Sequence, residues 1–127
     1  MHVRGFHHLA IQVENLEKVA SWYRDVLGLL EQARFHRPDG KLRSIWVSFP
    51  GGFLALEHTD EKPESTAFRD SQPGPYLLAL RIDRLSREEV LSELKAKGVV
   101  LEHETRWTIY IRDPEGNRIG LSHHPED

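Results

Sequence analysis

The sequence has no cysteine and no long apolar run, and both absences narrow its possible functions. Without cysteine the chain has no disulfide scaffold, no thiolate nucleophile and no cysteine-ligated zinc site. No stretch approaches the roughly 18 apolar residues of a membrane-spanning helix. An excess of basic residues is missing as well, because 17 lysines and arginines stand against 20 acidic residues and give a net charge of −3. We therefore expect neither a membrane nor a nucleic acid as partner.

The chain also lacks the short signatures of several enzyme classes. It has no phosphate-binding loop of the Gly-x-x-x-x-Gly-Lys-Ser/Thr type, no His-Glu-x-x-His helix and no Gly-x-Ser-x-Gly elbow. Residues 1–6 contain no long apolar segment of the kind that a secretory signal needs. The expected location is therefore the cytoplasm.

What the sequence does contain is typical of one globular domain. It has 127 residues, of which 39% are hydrophobic and 29% are charged. A chain of this length buries roughly two-thirds of its unfolded surface and forms a core without covalent support. We therefore treat residues 1–127 as a single domain.

The first half of the chain shows one strand, one helix and three further strands. Asn15 is a suitable N-cap, since its side-chain oxygen can accept from a free N–H at the start of a helix. Apolar residues then recur with helical spacing up to Gly28, which can adopt the left-handed conformation that ends a helix. Alternating residues between turn signals predict strands at Phe6–Val13, Leu30–Arg37, Leu42–Phe49 and Phe53–His58.

The second half repeats this order after a polar, proline-bearing linker at residues 59–75. Ser86 and Glu89 have the spacing of a capping box, and Leu85 and Val90 that of a hydrophobic staple. Gly98 is expected to end this second helix. The predicted strands are Tyr76–Ile82, Val99–Glu104, Trp107–Arg112 and Arg118–Ser122.

The two halves align with each other at an offset of 69 residues, so that His8–Val13 overlies Leu77–Ile82. Such internal repetition is decisive for the fold. It predicts an α+β protein of two βαβββ repeats, with repeat one at about 5–58 and repeat two at about 76–124. Each repeat alone would expose one face of its sheet, whereas two together can enclose a pocket.

The sequence resembles the vicinal oxygen chelate superfamily, which includes glyoxalase I, extradiol dioxygenases, fosfomycin-resistance enzymes and bleomycin-binding proteins. The helix with Trp-Tyr-Arg-Asp-x-Leu-Gly and the late Asp-Pro-x-Gly-Asn turn carry the likeness together, and the matching stretches are residues 6–16, 22–29, 52–57 and 110–119. The resemblance implies a curved mixed sheet around a central cleft that binds a small molecule. It also implies a homodimer, because sites in this superfamily are often shared across two-fold dimers.

The resemblance further implies a divalent metal held at four positions, two in each repeat. His8 and Glu57 fill the two positions of repeat one, and an imidazole and a carboxylate suit Zn, Ni, Fe or Mn. Leu77 and Gly120 stand at the two positions of repeat two and offer no donor. Catalytic zinc usually has three protein ligands. The missing donors would have to come from the two histidines at 123–124 or from a second subunit.

Two functions follow from this half-kept site. In the first, the protein is a metal-dependent enzyme of glyoxalase or dioxygenase type, with His8 and Glu57 as metal ligands and Glu57 as the catalytic residue. In the second, it binds or sequesters a small molecule without metal, as the bleomycin-resistance branch does. His8 and Glu57 would then form a direct structural pair or act together as a general base. Arg81 and Arg118 share the faces of Leu77 and Gly120 and could grip an anionic group of a ligand.

Overall fold

The computed structural model describes residues 1–62 and 73–127. The chain divides into two compact units, Met1–Glu64 and Ser65–Asp127. Most of the linker predicted at 59–75 lies outside the described residues. Among the residues that are described, every helix is too short or too polar to cross a membrane.

The N-terminal unit is a four-stranded mixed sheet with one helix. Its elements are β1 (His8–Val13), α1 (Leu16–Asp25), β2 (Leu30–His36), β3 (Leu42–Phe49) and β4 (Gly52–His58). The strand order is β1-β4-β3-β2, with β1 parallel to β4 and the other neighbours antiparallel. The parallel pair is possible because α1 and two strands separate β1 from β4 in the chain.

Helix α1 has the ends that the sequence predicts. The Asn15 side chain accepts from the backbone N–H of Lys18 at 3.1 Å, which satisfies one of the free donors at the helix start. Beyond the helix, Gly28 has a φ of +70°, the left-handed conformation that side-chain-bearing residues avoid. Both features confirm the pattern read from the first half of the chain.

The core of this unit lies between α1 and one face of the sheet. Helix α1 contacts β2, β3 and β4. The fully buried side chains from the helix and the sheet are Val13, Val19, Ala20, Tyr23, Ile45, Val47, Leu54 and Leu56. Since side chains alternate along a strand, residues at even positions of β3 lie on the opposite face.

The C-terminal unit repeats this topology. Its elements are β5 (Leu78–Arg81), a 3₁₀ turn (Arg84–Ser86), α2 (Arg87–Ala96), β6 (His103–Glu104), β7 (Thr108–Arg112) and β8 (Arg118–Ser122). The strand order is β5-β8-β7-β6, with β5 parallel to β8. The predicted fold class is confirmed: the protein is α+β, with two βαβββ modules that form mixed sheets.

The predicted capping box of α2 is wrong. Ser86 has helical backbone angles and makes no capping hydrogen bond through its side chain, because a 3₁₀ turn leads directly into the helix. Leu85 is 90% exposed, so the predicted staple with Val90 does not form either. The strand predicted at Val99–Glu104 is reduced to its last two residues, His103 and Glu104.

The turn between β7 and β8 is held by one buried carboxylate. Asp113 is 4% exposed and accepts from the backbone N–H groups of Glu115 and Asn117, each at 2.9 Å. Its second oxygen accepts from the Asn117 side-chain amide, also at 2.9 Å. The Asp-Pro-x-Gly-Asn sequence therefore folds into a turn whose polar groups satisfy one another.

Candidate functional site

The predicted site residues of the N-terminal unit lie on the face of its sheet turned away from α1, which we call the distal face. Pairing in the sheet places His8 beside Phe53, and Glu57 beside both Gln12 and Ser44. Because paired residues share a face and alternate residues share it too, His8 and Glu57 are on the same side.

The two residues are not in contact on this face. Glu57 lies four positions along β4 from the residue paired with His8, which corresponds to about 13 Å along the strand. Instead, the His8 ring shares a hydrogen bond with His7, their Nδ1 atoms being 2.8 Å apart. The direct His8–Glu57 pair considered from the sequence is therefore not formed.

Aromatic rings form a continuous row across the distal face. The rings of His8 and Phe53 stack at 4.7 Å and 8°, and those of Phe53 and Trp46 at 4.5 Å and 24°. Phe35 on β2 extends the row, with its ring 4.7 Å from that of Trp46. The row reaches from β1 to β2, and exposed His8 stands at one end of it. Such a surface can hold a flat or apolar molecule.

Two polar atoms within this face have no hydrogen-bond partner among the described residues. They are the Oγ atom of Ser44 and the Nε1 atom of Trp46, both buried. Ser44 and Trp46 are two residues apart on β3 and so lie on the same face. Neither Ser44 nor Trp46 was singled out from the sequence. The available signal was a serine and a tryptophan at alternate positions of one strand.

In the C-terminal unit, the two positions without donors lie close together. The side chain of Leu77 covers Gly120: a Cβ atom added at Gly120 would be 3.3 Å from Leu77 Cδ1 and 3.2 Å from Thr108 Cγ2. Gly120 is paired with Ala79 on one side and Tyr110 on the other. Aliphatic atoms therefore fill the space that a ligand side chain from residue 120 would need.

The histidines considered as replacement ligands are engaged elsewhere. His123 is 3% exposed, and its Nε2 accepts from Arg87 at 3.1 Å because a guanidinium can only donate. Its Nδ1 consequently carries the proton and donates to the carbonyl of Glu126 at 2.6 Å. The ring of His124 packs edge-on against Trp107 at 4.9 Å. A metal ion bound to either ring nitrogen of His123 would therefore have to replace a hydrogen bond.

The residues present do not fit the four-ligand metal site that the resemblance implies. Within residues 1–62 and 73–127, no three His, Cys, Asp or Glu side chains are grouped so that they could hold a metal ion. His8 and Glu57 are separated along the sheet, and Leu77 and Gly120 supply no donor. A site with fewer than three protein ligands is weak.

The two arginines suggested as an anion clamp have different surroundings. Arg118 lies over the Tyr110 ring at 4.3 Å, and its Nε is 3.6 Å from Glu102. Glu102 also accepts from Arg112, and this hydrogen bond holds the pKa of the Glu102 carboxyl below its usual value. Arg81 is exposed at the end of β5, paired with Ser122. Arg118 is therefore partly neutralised by a carboxylate, which weakens its attraction for an anion.

Comparison with known proteins supports the fold. A sequence model of the Glyoxalase/Bleomycin resistance protein/Dioxygenase superfamily matches residues 5–121. No curated protein matches the sequence.

Solved structures share the architecture at low sequence identity. A glyoxalase/dioxygenase from Nostoc punctiforme has a TM-score of 0.80 and 22% identity, over 97% of this chain and 92% of that one. A lactoylglutathione lyase from Agrobacterium tumefaciens has a TM-score of 0.72 and 22% identity, over 96% and 95% of the two chains. A mutant of the fosfomycin resistance protein FosX from Listeria monocytogenes, complexed with Mn(II) and 1S,2S-dihydroxypropylphosphonic acid, has a TM-score of 0.73 and 17% identity, over 95% and 93%. Likeness at this level of identity shows the fold alone.

With its repeated βαβββ modules and a family match over residues 5–121, this chain belongs to the Glyoxalase/Bleomycin resistance protein/Dioxygenase superfamily.

Proposed function

We propose that this protein binds a small molecule on its sheet surface without a resident metal ion. The observation that carries the proposal is the contact between Leu77 and Gly120. At the two positions where the C-terminal module would supply metal ligands, the chain has an aliphatic side chain packed over a glycine. The Cβ atom of any side chain at position 120 would come within 3.2 Å of Thr108 and 3.3 Å of Leu77, closer than ordinary van der Waals contact, so the local packing favours a site without donors.

The distal face of the N-terminal sheet supports the binding part of the proposal. Its aromatic row offers an apolar surface, and Glu57 adds one half-buried polar group near it. Ligand sites are mostly apolar surfaces with a few well-placed polar groups. The FosX structure, which contains a small phosphonic acid, is an example of small-molecule binding on a related fold. We further propose that the protein forms a homodimer, which light scattering will test.

One observation favours a second candidate, a metal-dependent enzyme of glyoxalase or dioxygenase type. His8 is exposed and Glu57 is half-buried, and both lie on the distal face. With donors from a second subunit, they would be the metal ligands of this chain, and Glu57 would be its catalytic residue. A bound divalent ion would act there as a Lewis acid on substrate oxygens.

Metal retention separates the two candidates. Chelator-treated protein is loaded with Zn²⁺, Ni²⁺, Mn²⁺ or Fe²⁺, dialysed, and analysed for metal content per chain. The wild type is expected to retain far less than one ion per chain, as are His8→Ala and Glu57→Gln. The double variant Leu77→His with Gly120→Glu serves as the positive control, because it restores an imidazole and a carboxylate and removes the leucine, one of the two side chains close to residue 120. Stoichiometric metal in the wild type that is lost in both His8→Ala and Glu57→Gln would refute the proposal and establish the second candidate.

A further inference from the structure

Two polar atoms of β3 are buried on the distal face without a hydrogen-bond partner among the described residues. Ser44 is 1% exposed, and its Oγ has no hydrogen-bond partner among the described residues. The same holds for Nε1 of Trp46. Buried polar groups in folded proteins are almost always hydrogen-bonded, so each exception calls for an explanation. These two exceptions lie two residues apart on one face of the sheet, and a ligand that reached both atoms would supply the missing hydrogen-bond partner.

The chemistry of these atoms defines half of that partner. An indole N–H only donates, so whatever pairs with Trp46 must carry a hydrogen-bond acceptor. A serine hydroxyl donates or accepts and can serve the same group. Ser48, two residues beyond Trp46 on the same strand, differs in this respect, because its Oγ donates to the carbonyl of Leu30 at 3.3 Å. The unmet donors are therefore confined to Ser44 and Trp46 among the polar side chains of this strand that face the distal side.

Glu57 indicates which second polar group the ligand carries. It is the β4 residue paired with Ser44, and side chains in such positions are about 5 Å apart at Cβ. Its carboxylate accepts hydrogen bonds and repels a negatively charged ligand group. The neighbouring rings of Phe35 and Phe53, which flank Trp46, favour a ligand with an apolar body.

Taking the proposed small-molecule binding as its basis, we propose that Ser44 and Trp46 donate hydrogen bonds to a flat, uncharged ligand. Its carbonyl-type oxygen accepts from these donors, and an N–H or O–H beside that oxygen donates to Glu57. The ligand class is that of neutral aromatic amides and related heterocycles. Aromatic carboxylates have the acceptor oxygens but carry a charge that Glu57 opposes, and they lack the donor.

Benzamide and benzoate are matched probes, since they share the ring and the acceptor oxygen but differ in charge and donor. Binding is followed by ¹⁵N–¹H spectra of the three tryptophan indoles, with the Trp46 signal assigned from Trp46→Phe. Benzamide is expected to shift the Trp46 indole proton downfield as its N–H gains an acceptor, and to bind at least about fivefold more tightly than benzoate. Ser44→Ala is expected to weaken benzamide binding about fivefold, while the control Ser48→Ala leaves the affinity unchanged.

Three outcomes would each contradict a different part of the proposal. If benzamide binds equally well to wild type and Ser44→Ala without moving the Trp46 indole signal, the two donors do not hold the ligand and this inference is wrong, although small-molecule binding remains. Benzoate binding as tightly as benzamide would refute the role given to Glu57. If neither probe binds, the ligand class is wrong, whereas the metal-retention result still decides whether the site is metal-free.

Discussion

Replacing Ser44 with alanine is expected to make the ligand-free protein more stable. Its hydroxyl is buried without a partner among the described residues, and an unsatisfied buried polar group costs about 1–3 kcal/mol. Alanine removes that cost and leaves a space of only one oxygen atom. Taking the lower end, we expect the free energy of unfolding to rise by about 1 kcal/mol, which raises Tm by about 4 °C for a domain of this size.

Two further variants, in which a hydrogen-bonded hydroxyl is removed, serve as controls for the stability change of Ser44→Ala. Thr108 is 9% exposed, and its hydroxyl donates to Ser122 Oγ at 2.8 Å, so Thr108→Val should lower the free energy of unfolding by about 1 kcal/mol. Ser48→Ala removes a longer hydrogen bond to Leu30 and should lower it by roughly 0.5 kcal/mol. Urea denaturation followed by circular dichroism measures all three variants, and the slopes should stay equal.

A loss of stability in Ser44→Ala as large as that in Thr108→Val would refute the reasoning. It would mean that the Ser44 hydroxyl already has a partner, such as an ordered water, in the ligand-free protein. Ser44 would then have no unpaired hydroxyl to offer to a ligand acceptor. A gain in stability joined to weaker benzamide binding would instead be the trade of stability for function that binding sites often show.

Two other predictions concern helix ends and acid sensitivity. Asn15→Ala should lower the free energy of unfolding by about 1 kcal/mol, because it removes the hydrogen bond that caps the N–H of Lys18. Ser86→Ala should change the free energy of unfolding by less than about 0.5 kcal/mol, because Ser86 makes no capping hydrogen bond. Thermal melts of the two variants compare them directly, and equal losses would contradict the assigned caps. Arg112 lowers the pKa of Glu102, so the stabilisation from this pair is fully present above the usual carboxyl pKa of 4.5 and is lost as the pH falls through the lower folded value. Glu102→Gln should therefore lower stability at pH 7 by under about 1 kcal/mol and flatten its decline below pH 4.5, as measured by urea melts across pH; a decline as steep as that of the wild type would contradict this assignment.

The fold was readable from the sequence because its strongest signals are local. Asn15 and Gly28 mark the ends of α1 by side-chain chemistry and backbone freedom that need no tertiary context. The offset of 69 residues between the halves then predicted the second module from the first. The capping box at Ser86 failed because spacing alone does not reveal the preceding 3₁₀ turn, which places Ser86 inside helical backbone.

The candidate site was less readable because it depends on strand register. The sequence suggested His8 and Glu57 as partners, and only the pairing of β1 with β4 shows that they share a face and stand four positions apart along the sheet. The environment of Ser44 follows from three neighbouring strands, and none of these relations is local in sequence. The coverage of Gly120 by Leu77 likewise joins residues 43 positions apart.

The Asp113 turn has a consequence for every side chain on the two strands that it joins. Its three hydrogen bonds fix how many residues the connection uses, and that number decides which residue of β7 meets which residue of β8. A slip by a single position would carry Ile119 and Leu121 outward and bury Arg118 in their place. One carboxylate in a loop thus keeps the apolar and the charged side chains of β8 on opposite faces of the C-terminal sheet.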